Sequence, residues 1–355
     1  MTRHMFAGGT TPVGFVSFFD QIMPLEKAKK RIFLKGSSGG GKSTFMKKIA
    51  SGFESAGMDI DIYHCANDAD SLDGLSAGAG GLSVIDGTAP HVYDPELPIA
   101  IDSIIDFAGF IDGVKASPYA EEIKALLRKK KIITDKARGY LTAAGNVYKA
   151  EIAAYESALK SGALAELTRE WVNTLWGADA GRRFGTDRKM FLTAITPDGV
   201  ISYADTVIGG CKIYGLTGET SAGMDMFLAG VKAEARARGI NTESFYCPLE
   251  PNRLEYLLLK EIKTAFAVAG GYYCYDGRMD ETIDFSGCFD ARLAESAGIA
   301  TERNRDLTEG LLKESVALMK ESRELHLGIE KIYINAMDFK RVNDMTDRVM
   351  RELLQ

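Results

Sequence analysis

Apolar and polar positions follow two rhythms along this chain. Short apolar runs come first, at residues 31–34 ("RIFL"), 59–65 and 82–85. Each is bounded by turn-forming residues and reads as a strand. Between the first two runs, Phe45, Met46, Ile49 and Phe53 recur at helical spacing, and Gly57 suits the end of that helix. The rhythm then changes. From 119 to 176 the chain is rich in Ala, Leu, Glu and Lys, with apolar residues at i, i+3, i+4 and i+7. From 303 to 355 the same pattern returns. These stretches predict long helices, either covering a sheet or forming hairpins that close over a site.

The pattern is written twice. "RHMFAGGTTPVGFVSFFD" from Arg3 matches "RKMFLTAITPDGVISYAD" from Arg188, an offset of 185. An offset of 182 pairs Gly36 with Gly218, Gly41 with Gly223, Gly57 with Gly239, Cys65 with Cys247 and Leu72 with Leu254. "SIIDFAGFID" from Ser103 resembles "ETIDFSGCFD" from Glu281. The chain of 355 residues therefore divides into 1–185, with a helical insertion at about 117–178, and 186–355, with C-terminal helices at about 300–355.

The first copy carries a phosphate-binding pattern. Gly36, Ser37, Ser38, Gly39, Gly40, Gly41, Lys42 and Ser43 match GxxxxGK[ST], with Thr44 opening the helix. Strand, glycine loop and helix stand in the order that pattern requires. Glycines let successive N–H groups point at phosphate oxygens, and the helix N-terminus adds partial positive charge. Lys42 would reach the β- and γ-phosphates of ATP, and Ser43 would ligate Mg²⁺. Asp86, at the end of the 82–85 run in "GGLSVIDGTAPH", is the candidate partner for the metal. A turn-capping role is the plain alternative for it. No Glu follows Asp86, which by fold-level analogy favours the kinase and GTPase side of P-loop chemistry.

Further candidates surround this core. Asp68, Asp70 and Asp73 fall in a loop after the second strand, where Asp70-Ser71 also reads as a helix N-terminus. One of them, or His91, would orient the nucleophile. A lone His is more often a structural hydrogen-bonding group. Arg182, Arg183 and Arg188 could neutralise phosphoryl charge, although surface ion pairs are the commoner role. The second copy has lost this chemistry. Lys42 becomes Met224, Ser43 becomes Asp225 and Asp86 becomes Val268.

Composition narrows the field. A hydrophobic fraction of 46% with 26% charged residues describes a folded chain. Its net charge of −6 does not draw in nucleic acid or an anionic membrane. The basic run "RKKK" at 128–131 reads as the solvated face of a helix. Five cysteines without a CxxC pair fit a reducing cytosol and argue against structural zinc. "MTRHMFAGGTTPVG" has no apolar signal-peptide region, and no run approaches a membrane span.

"FAGGTTPVGFVSFF", "FLKGSSGGGKSTFMKKIA", "HCANDADSLDG" and "VIDGTAPH" together resemble a bacterial family of tandem P-loop ATPase-like proteins known only as ATP-binding. The resemblance implies the P-loop fold and ATP binding, and supplies no substrate. In that family both halves tend to keep the loop and a D-[GS]-T-A-P-H segment. Here the second half reads "VAGGYY" from Val268 instead.

The expected fold class is thus α/β: two tandem P-loop NTPase-like three-layer α/β/α units, each with an appended helical segment. The expected function is an ATPase or phosphotransferase with one Mg-ATP site in the first half. The alternative is a nucleotide-dependent switch or scaffold with little turnover. A nucleic-acid-stimulated ATPase is the weakest of the three, given the acidic balance. Expected partners are a nucleotide and a small-molecule or protein acceptor, without membrane attachment. The chain would be cytoplasmic, and a monomer built as an internal pseudo-dimer, or a homodimer.

Overall fold

A computed structural model describes residues 1–89, 92–176, 183–269 and 275–354. The first half contains β1 (Thr2–Met5), β2 (Gly8–Thr11), β3 (Gly14–Ser17), β4 (Lys30–Lys35), α1 (Lys42–Ser55), β5 (Ile60–Cys65), β6 (Asp68–Ala77), β7 (Leu82–Asp86) and β8 (Asp102–Asp106). It continues into α2 (Gly113–Ala116), α3 (Ala120–Glu156) and α4 (Ser161–Leu175). The second half repeats the order with β9 (Asp187–Met190), β10 (Thr193–Thr196), β11 (Gly199–Ser202), α5 (Ala204–Ile208), β12 (Lys212–Thr217) and α6 (Met224–Ala237). There follow β13 (Thr242–Tyr246), β14 (Leu254–Leu259), β15 (Thr264–Val268), β16 (Glu281–Asp284), α7 (Ala291–Ala297), α8 (Thr301–Ala336) and α9 (Phe339–Leu353).

Each half builds a six-stranded sheet, and the two sheets share one topology. The orders are β1-β5-β6-β7-β4-β8 and, at matching positions, β9-β13-β14-β15-β12-β16. Both are mixed: the fourth-in-sequence member, β6 or β14, runs antiparallel to both its neighbours. The duplication read from the sequence is therefore a duplication of structure.

The carboxylate-bearing stretch is the first departure from expectation. Asp68, Asp70 and Asp73 lie on β6, not in a loop or at a helix start. β5 turns directly into β6 as a hairpin, with register shifts around His64 that let the two strands pair despite the irregular pattern. The second copy shows the strand openly as "LEYLLL", fully buried. In the first copy polar residues stand at several of those positions and hide it.

The layering is the second departure. Each sheet is covered on one face by helices. Ile32 and Leu34 of β4 and Val84 of β7 pack with Phe45, Ile49 and Phe53 of α1. The alternate residues, Phe33, Tyr63 and Ile85, point the other way, as strand geometry demands. They join Ile213, Phe245, Tyr256, Leu258 and Ala265 of the other sheet in one shared apolar cluster, with Val207 and Ile208 of α5. The halves are not two separate three-layer units, because one face of each sheet is spent on the other.

The helical segments exchange partners. α9, at the end of the second half, covers α1 of the first: Val342, Val349 and Leu353 complete that core. α4, at the end of the first half, covers α6 of the second through Leu164, Leu167 and Trp171. α3 and α8 run antiparallel between them, with Lys130 beside His326, Thr134 beside Ser322, and the Ser315 hydroxyl on the Ala137 carbonyl. Short bridges mark both crossings, Ile111 with Met337 and Leu159 with Phe289. The sequence boundary near 185 is therefore not a boundary of packing.

Where β1 and β9 approach each other, four buried charges meet. Arg3 donates to Asp61 at 2.7 Å and to Glu243 at 2.7 Å. Arg188 donates to Asp61 at 2.7 Å and lies 3.3 Å from Glu243. Arg3 and Arg188 are repeat counterparts, as are Asp61 and Glu243, so the cluster sits on the pseudo-twofold relation. Burial alone would push the Asp61 carboxyl up, but Arg188 and Arg3 override it and hold it well below the usual range.

Candidate functional site

The site is assembled from the end of β4, the start of α1 and the end of β7. β4 and β7 are parallel neighbours, with Leu34 opposite Asp86. This register brings the carboxylate to the mouth of the glycine loop. Lys42 is buried at 8% exposure although charged, and its Nζ lies 3.7 Å from Asp86 Oδ2. The same Nζ donates to the carbonyls of Gly36 and Ser37, both at 2.9 Å. Asp86 accepts through Oδ1 from the Thr88 N–H at 2.9 Å and the Thr88 hydroxyl at 2.5 Å, leaving Oδ2 toward the lysine. Part of Asp86 thus does cap a turn, and the other oxygen remains for the site.

The loop has the backbone that anion binding needs. Gly39 and Gly41 hold φ of 73° and 87°, left-handed values that suit glycine. Gly41 caps α1 with no side-chain acceptor on the first-turn N–H groups, which leaves those donors for a ligand. Ser37 Oγ is buried without a partner. Ser38, Gly40 and Thr44 complete the loop and first turn, with Thr44 exposed. Ser43 Oγ accepts from the Leu72 N–H at 3.1 Å, which ties β6 to the start of α1 and leaves the hydroxyl proton and a second lone pair.

The other carboxylates separate. Asp73 is buried on β6. Burial first, then the negative charge of Asp86, raises its carboxyl to about 7. It belongs to the Lys42–Asp86 group. Asp68 accepts from Ser71 Oγ at 2.5 Å, and its charge is felt at Arg323, His326 and Glu330 of α8. Asp70 is exposed, and the groups that feel its charge are His64 and Tyr203, away from the loop. His91 and Arg182 lie outside the described residues. Arg183 is exposed. Arg188 is no finger residue, because both its carboxylate partners are in the four-charge cluster and its remaining N–H groups go to the Gln21 carbonyl and the Tyr63 hydroxyl.

A metal can be held here only with help. Among the described residues no group of three or more His, Cys, Asp and Glu side chains is arranged around a common point for a metal ion. A hydroxyl at Ser43 and one free oxygen on Asp86 are a partial donor set that fits Mg²⁺ when phosphate oxygens supply further ligands.

The helices bring in residues that the sequence did not place. α8 lies directly on the loop, so close that a Cβ on Gly39 would stand 2.8 Å from the Glu330 carbonyl oxygen. α9 flanks the next turn, with Phe339 and Val342 beside Gly41. Glu330 is pushed up by burial and by Asp68, with Lys42, the Gly39 N–H and Lys130 opposing. His326 is pushed down to about 4 by burial and Lys130. Lys130, from the run read as a solvated face, is half-buried with its Nζ 2.9 Å from His326 Nδ1. Nothing in the local sequence marks these three. The only signal is that the helices are long enough to cross.

The second half keeps the loop's shape and fills it. Gly223 caps α6 at φ 78°, as Gly41 caps α1. Asp225, at the Ser43 position, pairs with Arg253 at 2.6 Å. Arg253 also donates to the Ser221 carbonyl at 3.1 Å and to Glu156 of α3 at 2.6 Å. Tyr148 reaches Ser221 Oγ at 3.2 Å. A guanidinium and a phenol thus pack against the second loop.

No protein-family model matches the chain, and neither a curated protein nor a solved structure does. The functional reading therefore stands on the residues themselves.

Proposed function

We propose that the first half binds ATP with Mg²⁺ and acts as an ATPase or a phosphotransferase. The observation that carries this is a single arrangement: a GxxxxGKS loop between a strand and a helix, its lysine 3.7 Å from a carboxylate at the end of the adjacent parallel strand. Gly36 to Gly41 would present backbone N–H groups, and Lys42 would exchange its carbonyl partners for phosphate oxygens. Ser43 and Asp86 would hold the metal, which supplies charge neutralisation when bound. Asp73, poised near neutrality, is the best-placed group to take a proton from a nucleophile, ahead of Asp68. The acceptor would be water, a small molecule or a protein. The resemblance to tandem P-loop ATPase-like proteins points the same way, and the setting would be cytoplasmic. Among the described residues no helix is long and apolar enough to cross a membrane. The two exchanged halves make an internal pseudo-dimer, which suits a monomer.

A second reading is favoured by one observation. α8 rests on the loop while the second half's own loop is filled, so bound nucleotide would register as a helix position more readily than as a product. The two readings part on turnover. Mg·ATP binding and ADP release are measured on the native chain and on Lys42→Ala. Lys42-dependent ADP release supports the enzyme. Tight binding without turnover supports the switch. A native chain that binds no nucleotide overturns both.

A further inference from the structure

A line of polar groups runs from a helix of the first half, through a helix of the second, to the tip of the loop. Lys130 Nζ lies 2.9 Å from His326 Nδ1. His326 Nε2 lies 3.6 Å from a Glu330 carboxylate oxygen. Lys42 and the Gly39 N–H both favour the charged form of that carboxylate. The Glu330 backbone leaves no room for a side chain at Gly39. These partners fix the imidazole: Nδ1 accepts from the lysine, and Nε2–H points at the carboxylate.

The bland explanation is a polar patch that helps two helices pack. The repeat argues against it. At the offset of 178 that relates Asp106 to Asp284 and Asp112 to Asp290, the counterparts of Lys130, His326 and Glu330 are Thr308, Tyr148 and Ile152. Those three pack α3 and α8 at the other loop without a net charge among them. The charged set appears only where the loop keeps its lysine.

A carboxylate on a helix seated against Gly39, and stabilised by the loop's own lysine and N–H, draws on the groups a phosphate oxygen would use. Both anions cannot occupy the loop without like-charge repulsion. We propose that Glu330 is an internal competitor for the phosphate loop, displaced by a bound polyphosphate, and that its two basic neighbours, Lys130 and His326, then turn to the ligand. The second half would thus set the ligand affinity of the first. This rests on the phosphate-loop reading above and adds three residues to it.

The test is titration calorimetry of Mg·ATP into the full chain, native and as Glu330→Gln, Lys130→Gln and Lys42→Ala, each checked for folding by circular dichroism. Glu330→Gln removes the competing charge and should tighten binding about tenfold, while Lys130→Gln should weaken it about tenfold, the size of one charge-assisted contact. Hydrogen exchange along 323–333 should rise when Mg·ATP is added to the native chain. If the native chain binds, Lys42→Ala does not, and Glu330→Gln binds no tighter than native, the competitor idea is wrong and the loop reading survives. If neither native nor Glu330→Gln binds, the loop reading fails and takes this inference with it. Binding by Glu330→Gln alone would support both.

Discussion

Lys42 shows how far one residue type at one spacing can be read. A buried lysine is costly unless its charge is met. Here two carbonyls and Asp86 meet it. The glycine-loop spacing encodes that backbone shape directly, so the loop and Asp86 were legible. Lys130, His326 and Glu330 were not, because helical periodicity gives no partner for a charge on a long helix. Replacing Lys42 with Ala should weaken Mg·ATP binding on the order of a hundredfold in calorimetry, with the fold retained. Glu255 offers a prediction of another kind. It is the counterpart of Asp73, it shares a hydrogen bond with Cys247, and burial pushes its carboxyl up to about 8. A carboxyl whose proton is held more tightly in the folded state adds stability below its unfolded value. That contribution is lost as pH rises through the folded value. Native stability should therefore fall between about pH 5 and pH 8.5, in part through this group. Glu255→Gln should flatten that fall in denaturant titrations and be the more stable chain at pH 8.5, by on the order of a few kcal/mol. An unchanged pH slope would show that Glu255 stays ionised.

At the scale of elements, the strands were read where the pattern was apolar and missed where it was not. β4, β5 and β7 fell within a residue or so of expectation. β6 was hidden by three aspartates, although β14, its own repeat, announces a strand in six apolar letters. An internal copy can thus reveal a strand that polar residues obscure in the other. The reverse holds for the second loop. Asp225 puts a negative charge at the Ser43 position, and Arg253, just before β14, resolves it by pairing at 2.6 Å. Arg253→Ala would leave Asp225 and Glu156 facing each other in a largely enclosed space. It should cost about 3 kcal/mol in urea unfolding, most of it from the stranded carboxylates. Adding Asp225→Asn should recover part of that loss. Converting Met224 to Lys and Asp225 to Ser should still give no second nucleotide site by stoichiometry, because Arg253, Tyr148 and Val268 remain.

At the scale of the whole molecule, the repeat reads as two tandem units, and the chain makes two interlaced ones. Amphipathic periodicity shows that a helix has a face to bury, but not which sheet it will bury it on. Only the tertiary path of α3 and α8 decides that, and it sends α4 to α6 and α9 to α1. A chain ending at residue 300 keeps every loop residue and loses α8 and α9. It should lose Mg·ATP binding and expose the α1 face that Val342, Val349 and Leu353 cover, visible as dye binding. Retained binding by that fragment would mean the exchange is dispensable for the site.

The exchange also imposes an order in time. α1 and its loop leave the ribosome well before the residues that seal them, Gly39's neighbour Glu330 and Gly41's neighbours Phe339 and Val342. Domains that fold as they are made complete one core before beginning the next. This chain cannot, because the first core waits on α9 from the other half. Until α9 is made the nascent first half is an unfinished unit with an apolar helix face open to water. Long-range closure of this kind is slow and leaves such a surface exposed to aggregation. Nascent chains of this protein should therefore depend on chaperones until α8 and α9 have been made.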